Sequence, residues 1–221
     1  MVQKKTEHPP LSDTSDTDVP TQIKNPDLVR EKRRRIIDST VRLFIKHGYH
    51  KTTTRMIAKA ANFSIGSLYE YVSSKEDLLY LVCHAIHEEV RTAVESALSD
   101  SGEGKEQLSE AIRQYLLVCD RMADHILLIY QVTQFLPKKW QERVLSNELD
   151  ITRIFIDVLS SLSGRDGIPR LEQNVLNLVG NNISVLGQMW AFRRWHLQKE
   201  YALETYIQIQ TRFILGLIFN R

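Results

Sequence analysis

The segment 52–76 concentrates side chains that can donate hydrogen bonds to an anion. It begins with three consecutive threonines before Arg55, contains Tyr69, and ends near Lys75. Hydroxyl, guanidinium and ammonium groups at this density are typical of surfaces that bind phosphate oxygens. The chemistry that this segment predicts is recognition of a phosphate-bearing partner.

Catalytic, cofactor and metal sites are not predicted anywhere in the chain. No Ser-His-Asp or Cys-His arrangement follows from spacing, and no Gly-rich phosphate loop is present. His84 and His87, with Glu88 beside them, could share one helix face, but no further ligand is identifiable. We interpret them as ordinary helix surface, and we expect a protein that is not an enzyme, with no catalytic residue, no cofactor and no metal.

Two short helices are predicted to carry the phosphate-binding side chains, over about 54–61 and 65–71. Between them, Asn62 suits a turn residue with left-handed backbone, and Ser64 suits the cap of the second helix. Ala58 is small enough for a close helix crossing. This layout is a helix-turn-helix, which presents one helix end to the major groove of DNA.

The remaining side chains of the motif are predicted to face outward. Those of the second helix are Ile65, Ser67, Tyr69 and Glu70, and Gly66 between them permits close backbone approach. Thr53, Thr54 and Arg55 open the preceding helix, where hydroxyl, guanidinium and amide groups can meet phosphate.

Positive charge is concentrated in the region that contains this motif. Residues 27–75 carry eleven basic and four acidic side chains, a net charge of +7, within a chain whose net charge is only +2. This is the electrostatic footprint expected of a DNA-binding head. The basic run 30–35, which includes Arg34, either contacts phosphate or the minor groove or simply coats a solvated helix face.

The whole chain is predicted to be all-α, with about nine helices. We expect a disordered tail over 1–26, a DNA-binding head over 27–75 and a helical body over 76–221. There is no signal-peptide pattern and no long apolar run, so no contact with a membrane is expected. Cys83 and Cys119 form no CxxC pair, which favours the reducing cytoplasm.

The segment 30–80 resembles the TetR family of bacterial transcriptional repressors. The matching residues are Thr53, Thr54, Ile57, Ala58, Ala61, Ser64, Gly66, Leu68, Tyr69, Tyr71, Ser74, Lys75, Glu76 and Leu78. Asn62, Phe63 and Val72 depart from the family pattern in conservative ways.

The resemblance implies a ligand-responsive homodimeric repressor on a palindromic operator. Phosphate contacts are implied for Thr54, Tyr69, Tyr71 and Lys75, and base reading for Ile65, Gly66, Ser67 and Glu70. Glu70 would accept a hydrogen bond from a cytosine amino group, and Ile65 would meet a thymine methyl. The alternative is that several of these residues are only helix surface.

In this family the body holds a dimer interface and an effector pocket. For the interface we expect the small-residue stripe of helix eight, Gly180, Ser184, Gly187 and Ala191, with Gly216 nearby, although the stripe could instead pack inside one protomer. The candidate pocket residues are Tyr115, Met122, Ile126, Tyr130, Phe135, Trp140, Phe155, Asn182, Trp190 and Arg194, and plain core is their alternative.

The apolar character of these residues favours a hydrophobic effector. The segment 189–196 looks like a version of the family associated with acyl-chain metabolism, and Lys138, Lys139, Arg193 and Arg194 could bind phosphates, so an acyl-CoA is one candidate. Two rival functions stay open: an enzyme with its site in the helical body, and a protein-interaction scaffold with an accessory DNA-binding head.

Overall fold

The computed structural model describes residues 19–100, 104–165 and 169–219, which form nine α-helices, one 3₁₀ turn and no strand. The all-α prediction is confirmed. The elements are α1 Pro26–His47, α2 Thr54–Ala60, α3 Ile65–Tyr69, α4 Lys75–Asp100, α5 Lys105–Arg121, α6 Ala123–Val132, the 3₁₀ turn Thr133–Phe135, α7 Lys138–Leu162, α8 Gln173–Glu200 and α9 Leu203–Phe219.

Interactions of neighbouring residues determine where helix α1 begins and ends. The Asn25 side chain accepts hydrogen bonds from the amides of Asp27 and Leu28, and Gly48 ends the helix with a φ of 78°, which glycine tolerates best. Its buried stripe includes Ile37 and Phe44 and packs on α2, α4 and α6. The head formed by α1 to α3 therefore rests directly on helices of the body.

The body is built around α4, α5, α7 and α8. Helix α4 packs on α5 and α7, α8 packs on α5, α6 and α7, and α9 covers α5 and α8. Each of these helices buries an apolar face in one continuous core. No helix in the described part of the chain is both long enough and apolar enough to span a bilayer.

Residues 19–25 correct the prediction of a disordered tail over 1–26. Val19 is buried, and the Gln22 amide donates a hydrogen bond to the Glu70 carbonyl at 2.9 Å. We call residues 19–24 the strap. The prediction is wrong for the strap and Asn25, because these residues pack on the head or cap α1, whereas residues 1–18 lie outside the described residues.

The small-residue stripe of α8 faces the inside of its own protomer. A Cβ atom added to Gly187 would lie 2.5 Å from Tyr115 Cε1, and one added to Gly180 would lie 2.5 Å from Ile156 Cγ1. Ser184 and Ala191 are buried as well. The stripe therefore lets α8 approach α5 and α7 closely, and its assignment to the dimer interface is wrong.

Candidate nucleic-acid interface

The α2–turn–α3 unit has the geometry that the sequence predicts. Asn62 has a φ of 60°, which is the left-handed turn residue. The Phe63 amide donates to the Ala58 carbonyl at 2.8 Å, and Ala58 and Leu68 are buried. These contacts lock α3 against α2, so the outer face of α3 has a fixed position.

The outer face of α3 is solvent-exposed. Ile65 and Tyr69 are each 40% exposed, and Gly66 is exposed between them. A Cβ atom on Gly66 would meet only Ser64 Oγ, at 3.8 Å, so nothing inside the protomer requires a glycine there. The Ser64 hydroxyl caps α3 by accepting the Ser67 amide at 3.0 Å. The absence of a side chain at Gly66 leaves room for an external partner.

Side chains that can donate hydrogen bonds lie on α1, α2 and α3. Thr53 caps α2 by accepting the Met56 amide, and the Tyr69 hydroxyl donates to Thr54 Oγ1 at 3.3 Å. Arg34 and Arg55 are exposed. The Glu70 side chain is half-buried, and its backbone carbonyl accepts hydrogen bonds from the strap. Among the predicted DNA-contact residues, the Tyr69–Thr54 hydrogen bond brings α3 and the start of α2 together, and Arg34 and Arg55 are accessible to solvent.

Lys75 and Tyr71 are placed differently from the other predicted contacts. Lys75 Nζ donates to the Tyr49 carbonyl at 2.6 Å and lies 4.0 Å from the Tyr49 ring centroid, and partial burial lowers the pKa of Lys75. Tyr71 is buried, with its ring edge-on to Phe63. Because Tyr71 is buried, we remove it from the predicted phosphate contacts. Lys75 lies at the start of α4 and contacts Tyr49, so it joins α4 to the head.

Sequence reasoning missed the buried guanidinium of Arg33. It is only 3% exposed and donates hydrogen bonds to the carbonyls of Val19, Pro20 and Tyr71, at 2.7 to 3.2 Å. Because Arg33 lies inside a run of basic residues, its sequence pattern is that of a solvated face. Only the apolar Val19, isolated in a polar segment, could have signalled this contact.

A small cavity of about 30 Å³ lies in the body where five helices converge. Of the ten predicted pocket residues, Tyr115, Ile126 and Tyr130 line it. The other lining residues are Ile86, His87, Val90, Cys119, Ile129, Glu148, Ile151, Ser184 and Gln188. Tyr115 donates a hydrogen bond to the Ser184 carbonyl at 2.7 Å, and burial raises the pKa of Cys119 to about 12, so its thiol is neutral.

Seven predicted pocket residues do not line this cavity, and two of them join neighbouring helices through hydrogen bonds. The Trp140 indole donates to Asp77 between α7 and α4, and the Trp190 indole donates to Asp120 between α8 and α5. The other five are Met122 and Phe155, which are buried in the core, Arg194, which is half-buried, Asn182, which is exposed, and Phe135, which contacts the head. Aromatic residues at helical spacing are here chiefly packing, and three of the ten predicted pocket residues line this cavity.

His87 also departs from its prediction. It is buried and lines the cavity, so its interpretation as helix surface is wrong. Burial lowers its pKa to about 4, and the neighbouring His84 adds to that shift, so the imidazole is neutral at pH 7. Within the described residues, no group of three or more His, Cys, Asp or Glu side chains could hold a metal ion.

Phe135 forms the aromatic contact between body and head. Its ring stacks on Tyr49 with centroids 5.7 Å apart and meets His50 edge-on at 4.4 Å. Tyr49 in turn donates to Glu76 at the start of α4, and this bond together with burial raises the pKa of Tyr49 to about 12. Phe135 follows directly after α6, whose residues line the cavity, so one short element touches both regions.

Helices α8 and α9 expose apolar side chains on their outer faces. On α8 these are Leu178, Val185, Met189 and Phe192, and on α9 they are Ile209, Phe213 and Leu217. Their spacing places them on one stripe of each helix. Such a contiguous apolar face is typical of a surface that a protein partner covers.

Comparison with known proteins agrees with this geometry. Residues 36–81 match the sequence model described as bacterial regulatory proteins, tetR family. The chain is 24% identical over 190 residues to the HTH-type transcriptional regulator HbdR of Aromatoleum sp. (strain CIB), covering 86% of this chain and 82% of that protein. It is 26% identical over 133 residues to the fatty acid metabolism regulator protein of Bacillus subtilis (strain 168), covering 60% and 66%.

A solved structure has the same fold. The crystal structure of AibR in complex with isovaleryl coenzyme A and operator DNA superposes with a TM-score of 0.66, covering 85% of this chain and 98% of that one at 17% identity.

Proposed function

This chain is a transcriptional regulator of the TetR family, and from that premise we propose that it is a repressor whose homodimer binds a palindromic operator. A small, mainly apolar effector then binds the body and releases the operator. The observation that carries this proposal is the exposed outer face of α3, where Gly66 leaves an open approach between Ile65 and Tyr69.

Phosphate contacts fix the register of α3 in this proposal. Thr53, Thr54 and Arg55 approach one strand from the start of α2, and Arg34 approaches from α1. Ile65, Ser67 and Glu70 lie where base edges would be read, whereas Tyr69 contacts phosphate together with Thr54. Such binding must weaken steeply as salt concentration rises, because it releases counterions from the DNA.

The homodimer forms through the exposed apolar faces of α8 and α9. Phe213 is 60% exposed and Leu178 is 61% exposed in the single chain, and pairing these faces across a two-fold axis would bury both. Gly216 is half-buried beside Leu217 on α9 and stays within this predicted interface. The two-fold axis places two heads on the two halves of a palindrome.

The effector enters at the cavity lined by Tyr115, Ile126 and Tyr130. An acyl-CoA is the first candidate, because the cavity has isoleucines on several sides and Arg193 and Arg194 follow Phe192 near Tyr130. The similar protein AibR was crystallised with isovaleryl coenzyme A. The acyl part would occupy the body and the phosphates would remain at the surface.

Binding is transmitted from the cavity through α6 to Phe135. A ligand that separates α6 from α8 would move Phe135 against Tyr49 and His50 and change the spacing of the two heads. The ligand must bind the DNA-incompetent arrangement more tightly, since only differential affinity shifts an equilibrium.

The test is selection of duplexes from a random library by the full-length protein, followed by affinity measurements across salt concentrations. We expect a palindrome to be enriched over random duplex. The matched variant is Gly66→Leu, which contacts little inside the protomer and removes a helix-destabilising glycine. Its thermal stability should be equal or higher, while its operator affinity should fall by about two orders of magnitude, towards random duplex.

The same experiments address the rival functions. Equal binding of palindromic and random duplex by the wild-type protein, or full operator affinity of Gly66→Leu, would overturn the proposal and favour a scaffold. Mass spectrometry of small molecules released from denatured protein identifies the effector. Turnover of that molecule by the body would favour an enzyme.

A further inference from the structure

We infer that the cavity in the body is the closed form of a site for a ligand whose enclosed part is uncharged and apolar and carries a hydroxyl group, and that this hydroxyl replaces the hydroxyl of Tyr130 at Glu148. The inference rests on the proposed effector site and specifies the chemistry of its ligand. Three observations carry it: an unpartnered buried imidazole, a hydrogen-bonded latch, and a ring at the cavity wall that is partly exposed to solvent.

The unpartnered group is Nδ1 of His87. His87 is only 6% exposed and lines the cavity, and within the described residues its Nδ1 has no hydrogen-bond partner. Burial of a polar atom without a hydrogen-bond partner destabilises the folded state. A ligand or a water molecule in the cavity can supply the missing bond.

Glu148 forms the latch. Its Oε1 accepts hydrogen bonds from the Tyr130 hydroxyl at 2.6 Å and from Gln188 Nε2 at 2.9 Å. Both bonds end on the same oxygen, so Oε2 remains available as an acceptor. These three side chains all line the cavity and join α6, α7 and α8 across it.

Tyr130 closes the cavity towards solvent. Its side chain is 40% exposed although it lines the cavity, and its ring meets Phe192 edge-on with centroids 4.6 Å apart. The closed volume of about 30 Å³ has room for one or two water molecules. A ring-sized ligand therefore fits only when Tyr130 leaves, which breaks its bond to Glu148 and exposes an acceptor for a replacement hydroxyl.

The lining determines which ligands are compatible with the open site. An anionic group inside the cavity would bring a second negative charge to Glu148 and would meet an uncharged imidazole at His87. A fully apolar ligand that displaced Tyr130 would leave Glu148 with Gln188 as its remaining donor and His87 Nδ1 without a partner, which is costly in a site lined by Ile86, Val90 and Ile126. A hydroxyl can donate to Glu148 and either donate to or accept from the imidazole.

The experiment compares benzyl alcohol, toluene and benzoate as probes of matched size on the full-length protein. Binding is measured by calorimetry and by the shift in thermal midpoint, with no DNA present. We expect benzyl alcohol to bind at least about tenfold more tightly than the other two probes. Tyr130→Phe keeps the ring but removes the competing hydroxyl, so it should strengthen benzyl alcohol binding several-fold.

Glu148→Leu should abolish the preference for benzyl alcohol, whereas Glu142→Gln, at an exposed position on the same helix, should keep it. Equal binding of toluene or benzoate, an unchanged preference in Glu148→Leu, weaker binding in Tyr130→Phe, or no probe binding at all would overturn the inference. Tyr130→Phe keeps the test informative if Glu148→Leu does not fold.

Because no readout involves DNA, a negative result leaves the repressor proposal standing. A clear binding preference with no effect on operator affinity would instead contradict the proposed regulation.

Discussion

Arg33 in the head and His87 in the body are buried polar side chains with opposite hydrogen bonding. In the head, the guanidinium of Arg33 is buried against three carbonyl groups, and the strap adds two hydrogen bonds to the Glu70 carbonyl. In the body, His87 is equally buried but its Nδ1 has no partner within the described chain. The bonds of Arg33 fix the strap on the head, whereas His87 Nδ1 can gain a bond when a ligand enters the cavity.

Glycine shows the same contrast. A Cβ atom at Gly66 in the head would make one ordinary contact, with Ser64 Oγ at 3.8 Å, whereas Gly187 in the body is enclosed by Tyr115 and Cys119. Both lie inside helices, where a glycine costs up to about 1 kcal/mol relative to alanine. The glycine of the head therefore serves a contact outside the chain, and that of the body serves packing within it.

The largest expected effect is that of Gly187→Leu on stability. Its Cβ would lie 2.5 Å from Tyr115 Cε1 and 2.6 Å from Cys119 Sγ, and neither neighbour is at the end of a flexible exposed side chain. We expect the free energy of unfolding to fall by at least about 3 kcal/mol. Denaturant titration of Gly187→Leu and Gly66→Leu measures this loss of free energy of unfolding. Equal stability of the two variants would contradict the different roles of the two glycines.

The stripe that contains Gly187 also shows what sequence can and cannot predict. A run of small residues at spacings of four, three and four predicts a close helix contact, and that contact exists. The pattern does not say which helix supplies the other side, because contacts within and between protomers obey the same packing rules. The small-residue pattern therefore does not predict the exposed apolar faces of α8 and α9, which the structure shows.

The local turn chemistry of the head was more predictable. Asn62 adopts the left-handed backbone and Ser64 caps α3, as their residue types predicted. These features depend on a few neighbouring residues and hence on local sequence. Burial of Arg33 and His87 depends on contacts between distant segments, which residue type and periodicity do not encode.

The second expected effect concerns the strap. Arg33→Met should lower the free energy of unfolding by about 2–4 kcal/mol, because it leaves the carbonyls of Val19, Pro20 and Tyr71 without their donor. Arg34→Met, at the exposed neighbouring position, should change stability by less than about 0.5 kcal/mol. Denaturant titration compares them.

Measurements of DNA binding test whether Arg34 contacts phosphate, separately from the effect of Arg33 on stability. Arg34→Met should weaken binding to all duplexes and reduce the slope of log affinity against log salt by about one, as loss of one phosphate contact requires. An unchanged slope in Arg34→Met would mean that Arg34 belongs to a solvated face, and equal stability of both variants would refute the role of the strap.

A smaller effect is expected for His87 as pH falls. Its folded pKa is lowered to about 4, below the ordinary value of 6.5, so the unfolded chain binds a proton first as pH drops between these values. The contribution to stability is therefore unchanged above pH 6.5 and is lost as pH falls towards 4, at up to about 1.4 kcal/mol per pH unit.

His87→Gln isolates this contribution from those of the other titrating groups. The difference in unfolding free energy between wild type and His87→Gln should shift in favour of the variant from pH 7 to pH 5, as measured by denaturant titration at each pH. A difference that does not depend on pH would show that His87 is protonated equally in both states.

The smallest expected effect tests whether the two regions communicate through Phe135. Phe135→Ala removes the stacking on Tyr49 and His50 but leaves the cavity lining and the α3 surface intact. Effector affinity and operator affinity should each change little, while the factor by which the co-purified effector weakens operator binding should shrink two- to fivefold, about 0.5–1 kcal/mol of coupling. Tyr201→Ala, at an aromatic position of similar exposure on the C-terminal side of α8, should leave that factor unchanged. Since coupling is reciprocal, the operator must weaken effector binding by the same factor in each variant. If Phe135→Ala kept full coupling in both directions, the two regions would be connected elsewhere, through the direct contacts of α1 with α4.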